Sequence, residues 1–103
     1  MASKEATKQL IKDSISFNKV MVFSKSFCPY CKRTKKVLDD LAVEYSTMEL
    51  DERDDGSMIQ DIMLEMTGAR SVPRVFINGK FVGGSDETLR LHSEGKLIKL
   101  IKA

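Results

Sequence analysis

The sequence has no tryptophan, only one histidine and two cysteines, and no apolar run near the roughly 20 residues that a bilayer-spanning helix needs. We therefore expect no membrane association. A zinc site usually needs four ligands, and the single histidine, His92, lies far along the chain from the cysteines, so we expect no metal requirement. The net charge of +2 is small and the basic residues are scattered, which argues against a nucleic-acid partner.

The N-terminal segment, residues 1–18, has no apolar stretch of the kind found in secretory signals and carries charged side chains instead. A cross-link between Cys28 and Cys31 would close too short a loop to remove much chain entropy. A reactive dithiol in a reducing compartment is the better interpretation, so we expect a cytoplasmic protein. The length of 103 residues, with 42 % apolar and 31 % charged residues, predicts a single domain over 1–103, and we expect a monomer.

The apolar pattern predicts the element order α-β-α-β-α-β-β-α. We expect helices at 3–16, 29–42, 57–67 and from 85 onward with a break at Gly95, and strands at 20–23, 43–50, 74–77 and 80–83. The first strand is continuously apolar, which is typical of a strand covered on both faces. The second strand should lie parallel to it after a right-handed crossover, and Asn78-Gly79 predicts an antiparallel hairpin. The chain is therefore predicted to form one mixed sheet with helices on its faces.

Three details of the helices are also predicted. The first helix is expected to present one apolar stripe of Leu10, Ile11, Ser14 and Ile15. The third is expected to begin with Ser57 as its cap and to end at Gly68. Its predicted buried stripe consists of Met58, Ile59, Ile62, Met63 and Met66.

The motif Cys28-Pro29-Tyr30-Cys31 falls between a buried strand and an amphipathic helix. Pro29 favours the first position of a helix, which places Cys28 at the N-cap and Cys31 one turn later. An N-cap sulfur can accept hydrogen bonds from the N–H groups of Tyr30 or Cys31, and the helix dipole adds positive charge. Cys28 is therefore predicted to be a solvent-open thiolate with a lowered pKa, with Lys25 as a nearby cation. Cys31 should stay a thiol, so Cys28 is the candidate nucleophile and Cys31 the candidate resolving cysteine.

Other interpretations of this motif stay open at the level of the residues. A Cys-x-x-Cys pair alone recurs in zinc sites and in haem attachment, although Lys32 stands where haem attachment needs histidine. A pair of buried, unreactive cysteines is the remaining alternative, and it would leave Pro29 at the strand–helix junction unexplained.

Three motifs together carry a family resemblance: Phe27-Cys28-Pro29-Tyr30-Cys31, Gly68-Ala69-Arg70-Ser71-Val72-Pro73 and Gly83-Gly84-Ser85-Asp86. In this order and at these separations they resemble the dithiol glutaredoxins, over residues 20–99. The resemblance implies an α/β, thioredoxin-like fold: a four-stranded mixed sheet flanked by helices, with a cis Val72–Pro73 bond beside the cysteines. It also implies a glutathione-dependent disulfide oxidoreductase with glutathione as co-substrate, and glutathionylated or disulfide-containing proteins as partners.

The resemblance further implies a glutathione site made of Lys25, Tyr30, Gln60, Arg70, Ser71, Val72, Pro73, Gly84, Ser85 and Asp86. Lys25 and Gln60, with Arg70 as a weaker candidate, would face the glycine carboxylate of glutathione. Tyr30 would flank its sulfur, and the backbone of Val72 would pair with its cysteinyl unit like an added strand.

The γ-glutamyl end of glutathione would lie at the start of the helix that begins at Ser85, whose N–H groups would bind its carboxylate. Either Asp86 or Glu87 would meet its ammonium. Ser71 stands where the family usually has threonine. An ordinary role stays open for each residue: a surface cation for Lys25 or Arg70, an exposed helix residue for Gln60, and a helix cap for Asp86.

Two rival functions remain at this stage. A thioredoxin-type reductase is disfavoured because thioredoxins typically show Trp-Cys-Gly-Pro-Cys, and this chain has no tryptophan. The alternative from another class is a dimer that holds an iron–sulfur cluster between two Cys28 thiolates and two glutathione molecules.

Overall fold

The computed structural model describes residues 3–103, which form six helices and four strands, counting one short 3-10 helix. Their order is α1 Lys4–Phe17, β1 Val20–Ser24, α2 Pro29–Asp40, β2 Ser46–Glu49, a 3-10 helix Leu50–Glu52, α3 Gly56–Thr67, β3 Arg74–Ile77, β4 Lys80–Gly83, α4 Ser85–Ser93 and α5 Leu97–Lys102. The predicted element order is confirmed, with the last helix divided at Gly95 as expected. The second strand is shorter than predicted at both ends, because residues 43–45 are not part of the sheet and Leu50 begins the 3-10 helix.

The four strands form one mixed sheet in the order β2-β1-β3-β4. As predicted, β1 and β2 are parallel, whereas β3 is antiparallel to both β1 and β4. Asn78 and Gly79 connect β3 to β4 with φ values of 52° and 82°, as the tight hairpin turn requires. The register pairs Ser24 with Glu49 and Phe23 with Arg74, which brings three strand ends to the edge where α2 begins.

Both faces of the sheet are covered, and β1 is buried along its whole length. One core lies under α1 and α3 and includes Ile11, Phe23, Ile59 and Phe76. The other lies under α2 and α5 and includes Val22, Leu38, Val75 and Leu97. The alternation of Val22 and Phe23 to opposite faces explains why this strand reads as a continuous apolar run.

The first helix buries a narrower stripe than predicted. Thr7, Ile11 and Ile15 are buried at a spacing of four residues, whereas Leu10 is 36 % exposed. Leu10, which was predicted to belong to the same apolar stripe, therefore lies outside the buried side of α1, because that side follows a single i, i+4 row.

Two predictions for the third helix are also wrong. The helix begins at Gly56 and not after a Ser57 cap, since Asp55 occupies the N-cap position. A β-carbon on Gly56 would lie 2.0 Å from the carbonyl oxygen of Leu50, so only glycine allows this close approach. Ile59, Ile62 and Met63 are buried as expected, but Met66 is 43 % exposed because it lies in the last turn, past the buried stripe.

Gly68 ends α3 in the left-handed conformation, as predicted. Within residues 3–103, no helix has the length and apolar character to cross a membrane.

Candidate active site

Cys28 lies at the N-cap of α2, as the sequence predicts, and has extended backbone angles. Its Sγ accepts a hydrogen bond from the N–H of Cys31 at 3.4 Å. Pro29 occupies the first position of the helix, where its missing N–H leaves no bond unmade. The start of α2 therefore directs backbone N–H groups at the Cys28 sulfur, where the partial positive charge of a helix N-terminus also lies.

The Cys28 sulfur lies in a shallow recess. Cys28 is 9 % exposed and Cys31 is 0 % exposed. Cys28 is therefore less open to solvent than expected, although it is the more exposed of the two cysteines. Burial is the largest single influence on the pKa of Cys28 and raises it. The Cys31 thiol, the N–H groups of Cys31 and Tyr30, and the Lys35 ammonium together outweigh burial, so this pKa lies below its ordinary value.

Cys31 has the opposite balance. Its side chain faces the buried side of α2, and burial raises the pKa of the Cys31 thiol above its ordinary value. Hydrogen bonds from the backbone N–H of Lys25 and the hydroxyl of Ser24 act the other way without reversing the shift. The motif thus holds two thiols of different character: one is favoured as thiolate and the other as thiol.

The loop between α3 and β3 approaches Cys28 directly. The Val72–Pro73 peptide bond is cis, as the family resemblance implies. The carbonyl oxygen of Val72 lies 3.9 Å from the Cys28 Sγ. A sulfur-bearing ligand bound along this backbone would therefore lie beside Cys28.

A groove of about 480 Å³ opens next to the cysteines. It is lined by Tyr30, Ser71, Val72, Pro73, Arg74, Gly84, Ser85, Asp86 and Glu87. Most of the residues predicted to bind glutathione therefore line one surface, although they come from α2, the loop before β3 and the start of α4.

The end of the groove at α4 is equipped to bind an anion. Gly84 is the N-cap of α4, so the free N–H groups of the first turn face this end. Ser85 is 7 % exposed, and its hydroxyl has no hydrogen-bond partner among residues 3–103. Asp86 is exposed at the same end and can receive a cation.

Three predicted residues do not line this groove. Gln60 donates from its side-chain amide to the carbonyl oxygen of Arg70 at 2.9 Å. The guanidinium of Arg70 donates to Asp61 at 2.9 Å and to Ser57 at 3.3 Å. Lys25 lies in the loop before α2, where its carbonyl oxygen accepts from the Cys28 N–H at 3.1 Å. Gln60 and Arg70 thus form hydrogen bonds with each other, and Arg70 also with Ser57 and Asp61 of α3.

Two residues of the site were missed in the sequence. Arg74 lines the groove, donates to Ser71 and to the Pro73 carbonyl oxygen, and stacks on the ring of Phe81 at 5.2 Å. Lys35 is a further cation that lowers the pKa of Cys28. The available signal for Lys35 was its position four residues after Cys31, which places both on one side of the helix.

The loop that leads into Cys28 is fixed by one carboxylate. Asp51 accepts from the backbone N–H of Ser26 at 2.9 Å and also from the Ser26 hydroxyl. These hydrogen bonds hold the pKa of Asp51 below its usual value. In the part of the chain that the structure describes, no group of three or more His, Cys, Asp or Glu side chains is arranged to hold a metal ion.

Comparisons with known proteins identify related chains. The family model described as "Glutaredoxin" matches residues 20–82. A glutaredoxin of Ricinus communis is 51 % identical over 90 residues, which cover 87 % of this chain and 88 % of that protein. Mitochondrial glutaredoxin-2 of Mus musculus is 48 % identical over 91 residues, which are 88 % of this chain but only 58 % of that protein. A crystal structure of a buckwheat glutaredoxin–glutathione complex superposes with a TM-score of 0.93 at 41 % identity, covering 96 % of this chain and 90 % of that one.

Proposed function

The chain belongs to the glutaredoxin family and is a glutathione-dependent thiol–disulfide oxidoreductase with a thioredoxin-like fold, and we propose that Cys28 is its nucleophile and Cys31 its resolving thiol. The observation that carries the proposal is the position of the Cys28 sulfur. It accepts the Cys31 N–H at the start of α2 while Cys31 is fully buried. The two thiols therefore differ in pKa and in access, as a nucleophile and a resolving group must.

The one-cysteine route begins when the Cys28 thiolate attacks the glutathione sulfur of a mixed disulfide. A Cys28–glutathione disulfide forms, and the partner leaves as a thiolate that takes a proton from solvent. A second glutathione, as thiolate, then attacks the glutathione sulfur of this intermediate. The products are oxidised glutathione and the Cys28 thiolate, which starts the next cycle.

The two-cysteine route acts on protein disulfides. Cys28 attacks one sulfur of the substrate and releases the other as a thiolate. Cys31 then loses its proton, attacks the Cys28 sulfur and releases the second substrate thiolate, which closes a Cys28–Cys31 disulfide. Two glutathione molecules reduce this disulfide and leave as oxidised glutathione.

We place glutathione in the groove beside Cys28. Its cysteinyl backbone would pair with Val72, next to the cis bond at Pro73, and this would hold its sulfur near Cys28. The free N–H groups at the start of α4 and the Ser85 hydroxyl would bind the γ-glutamyl carboxylate. Asp86 would bind the ammonium. The buckwheat glutaredoxin–glutathione complex supports glutathione as the ligand class.

The test is glutathione-coupled reduction of a small glutathione mixed disulfide by the wild-type protein and by the variants Cys28→Ser and Cys31→Ser. Cys28→Ser should abolish turnover, because no other thiol can reach the substrate. Cys31→Ser should keep this activity but lose reduction of an intramolecular protein disulfide, since only the second reaction needs a resolving thiol. Equal loss of mixed-disulfide reduction in both variants would refute the division of roles.

The protein partners, oligomeric state and compartment extend the proposal. We propose that glutathionylated and disulfide-containing proteins are the substrates, that the monomer is the active form, and that it works in the cytoplasm. Two free cysteines in the structure are compatible with a reducing compartment. Light scattering at the concentration of the activity assay tests the monomer, and cell fractionation tests the compartment. A stable dimer or a mitochondrial location would overturn the respective part.

A further inference from the structure

The most buried ion pair among residues 3–103 lies beside the cysteines. Lys35 on α2 contacts both carboxylate oxygens of Glu49 on β2, at 2.9 and 3.0 Å. The two side chains are 21 % and 18 % exposed, and every other ion pair of this range has at least one side chain more than a third exposed. The charges of Lys35 and Glu49 are therefore screened less by water than the other paired charges of the protein.

The fold connects this ion pair to Cys31. The parallel register of β1 and β2 places Ser24 opposite Glu49, and the Ser24 hydroxyl donates to the carboxylate at 3.2 Å. Ser24 is fully buried, and its hydroxyl is one of the groups that lower the pKa of Cys31. Lys35 follows Cys31 by four residues, so both project from one side of α2. Ser24, Glu49 and Lys35 therefore form one connected polar group on the side of α2 that carries Cys31.

Stability alone is a weak reason for an ion pair in this position. Removing two charges from water costs free energy that their attraction offsets only in part, so such pairs contribute little net stability. The same helix carries a second pair, Lys36 with Asp40, whose side chains are 75 % and 57 % exposed. That pair is exposed to solvent, where opposite charges four residues apart add modestly to the stability of the helix. Lys35 instead lies close enough to Cys28 to lower the pKa of its thiol, and Glu49 is bound to Lys35.

We propose that Lys35 and Glu49 are positioning residues for thiol exchange, which set the charge near Cys28. Lys35 supports the Cys28 thiolate. Glu49 limits this support by neutralising Lys35, and the hydrogen bond from the Ser24 hydroxyl fixes the Glu49 carboxylate in this position. The inference deepens the proposed function and rests on Cys28 being the nucleophile.

Other charged groups also lie around the cysteines: Lys25 in the loop before α2, Asp51 after β2, and Arg74, Asp86 and Glu87 in the groove beside them. Asp51 is exposed and engaged by Ser26, so it does not compete for the same contacts.

The proposal predicts effects of opposite sign for the two partners of one ion pair. Lys35→Met leaves the Glu49 charge uncompensated, which disfavours the Cys28 thiolate. Glu49→Gln leaves Lys35 uncompensated, which favours the thiolate. A merely structural pair would not behave in this way, because removal of either partner would disturb the packing in the same direction.

The experiment measures the rate of Cys28 alkylation by iodoacetamide as a function of pH, with the labelled cysteine identified by mass spectrometry. Below the midpoint of the wild-type curve, Lys35→Met should slow alkylation by about three- to tenfold and Glu49→Gln should accelerate it by a similar factor. The double variant should return to within about twofold of wild type, because the charges cancel. Lys36→Met and Asp40→Asn remove the exposed pair of the same helix and should leave the rate unchanged.

The possible results distinguish a failure of this inference from a failure of the proposed function. Shifts in the same direction for Lys35→Met and Glu49→Gln, or shifts no larger than in the Lys36 and Asp40 controls, would overturn this inference while wild-type Cys28 still reacts as a low-pKa thiol. A wild-type protein whose Cys28 reacts like an ordinary cysteine at every pH would instead overturn the proposed function itself. The circular dichroism spectrum of each variant establishes that the fold is retained. If one single variant is poorly folded, the sign of the other still decides, because Lys35→Met must slow alkylation and Glu49→Gln must accelerate it.

Discussion

The Ser85 hydroxyl offers a test in which stability and binding move in opposite directions. The residue is 7 % exposed at the start of α4, and its hydroxyl has no partner among the described residues. A buried polar group without a hydrogen bond costs about 1–3 kcal/mol, so the protein without ligand carries this cost. If the hydroxyl binds the γ-glutamyl carboxylate of glutathione, the ligand offsets the cost when it binds.

Ser85→Ala should therefore stabilise the free protein. Recovering about 1 kcal/mol would raise the melting temperature by about 4–6 °C for a domain of this size. The same change should weaken the binding of a glutathione mixed disulfide, because a hydrogen bond to a charged group contributes about 1.5–3 kcal/mol. This loss corresponds to an increase in KM of about 10- to 150-fold.

The assay pairs thermal unfolding without glutathione with steady-state kinetics on two substrates. One is a mixed disulfide of glutathione, and the other is the matching disulfide of cysteinylglycine, which lacks the γ-glutamyl unit. Only the first should show the raised KM. A free protein that becomes less stable, together with an unchanged KM for both substrates, would refute the assignment of the Ser85 hydroxyl to the ligand.

Two further predictions concern the residues that place the cysteines. Gly56→Ala puts a β-carbon 2.0 Å from the Leu50 carbonyl oxygen, and it should lower the free energy of unfolding by about 1–3 kcal/mol in chemical denaturation; an unchanged midpoint would contradict the close packing at the start of α3. Asp51→Asn removes the carboxylate that fixes Ser26, and it should lower kcat/KM about threefold by loosening the loop before Cys28. Asp54→Asn in the same exposed segment serves as its control, and an equal effect there would speak against a specific role for Asp51. Since hydrogen bonding lowers the Asp51 pKa, the support that Asp51 gives should be present at neutral pH and lost as the pH falls through that lowered pKa.

Local signals in the sequence were enough to predict the architecture and the cysteine pair. Asn78-Gly79 fixed the hairpin because both positions need positive φ, which few other residue pairs tolerate. Pro29 fixed the start of α2 because its geometry suits only the first turn. These features depend on the backbone preferences of adjacent residues, which can be recognised in the sequence without knowledge of the tertiary structure.

The errors arose where a residue's environment depends on distant parts of the chain. The start of α3 at Gly56 follows from its contact with Leu50, which no local capping pattern reveals. Arg74 reads as an ordinary strand residue until the loop before β3 and the ring of Phe81 are placed around it. The spacing of Lys35 from Cys31 places it on one side of α2, but its ion pair with Glu49 depends on the packing of β2 against α2.

The glutathione site was predictable only through the family resemblance. Tyr30, Val72 and Ser85 are far apart in the sequence and have no pattern that would join them. The structure brings them to one groove, whereas Gln60 and Arg70 interact with each other outside its lining. Their predicted contact with the glycine carboxylate stays a prediction that needs a glutathione complex of this chain.

The two thiols of one motif ionise differently, and thiolate absorbance in the ultraviolet measures this directly across a pH titration. We predict one thiolate that forms below the ordinary range of cysteine and is lost in Cys28→Ser, and a second that forms above that range and is lost in Cys31→Ser. Two thiols that both ionise like cysteine in an unstructured peptide would contradict it.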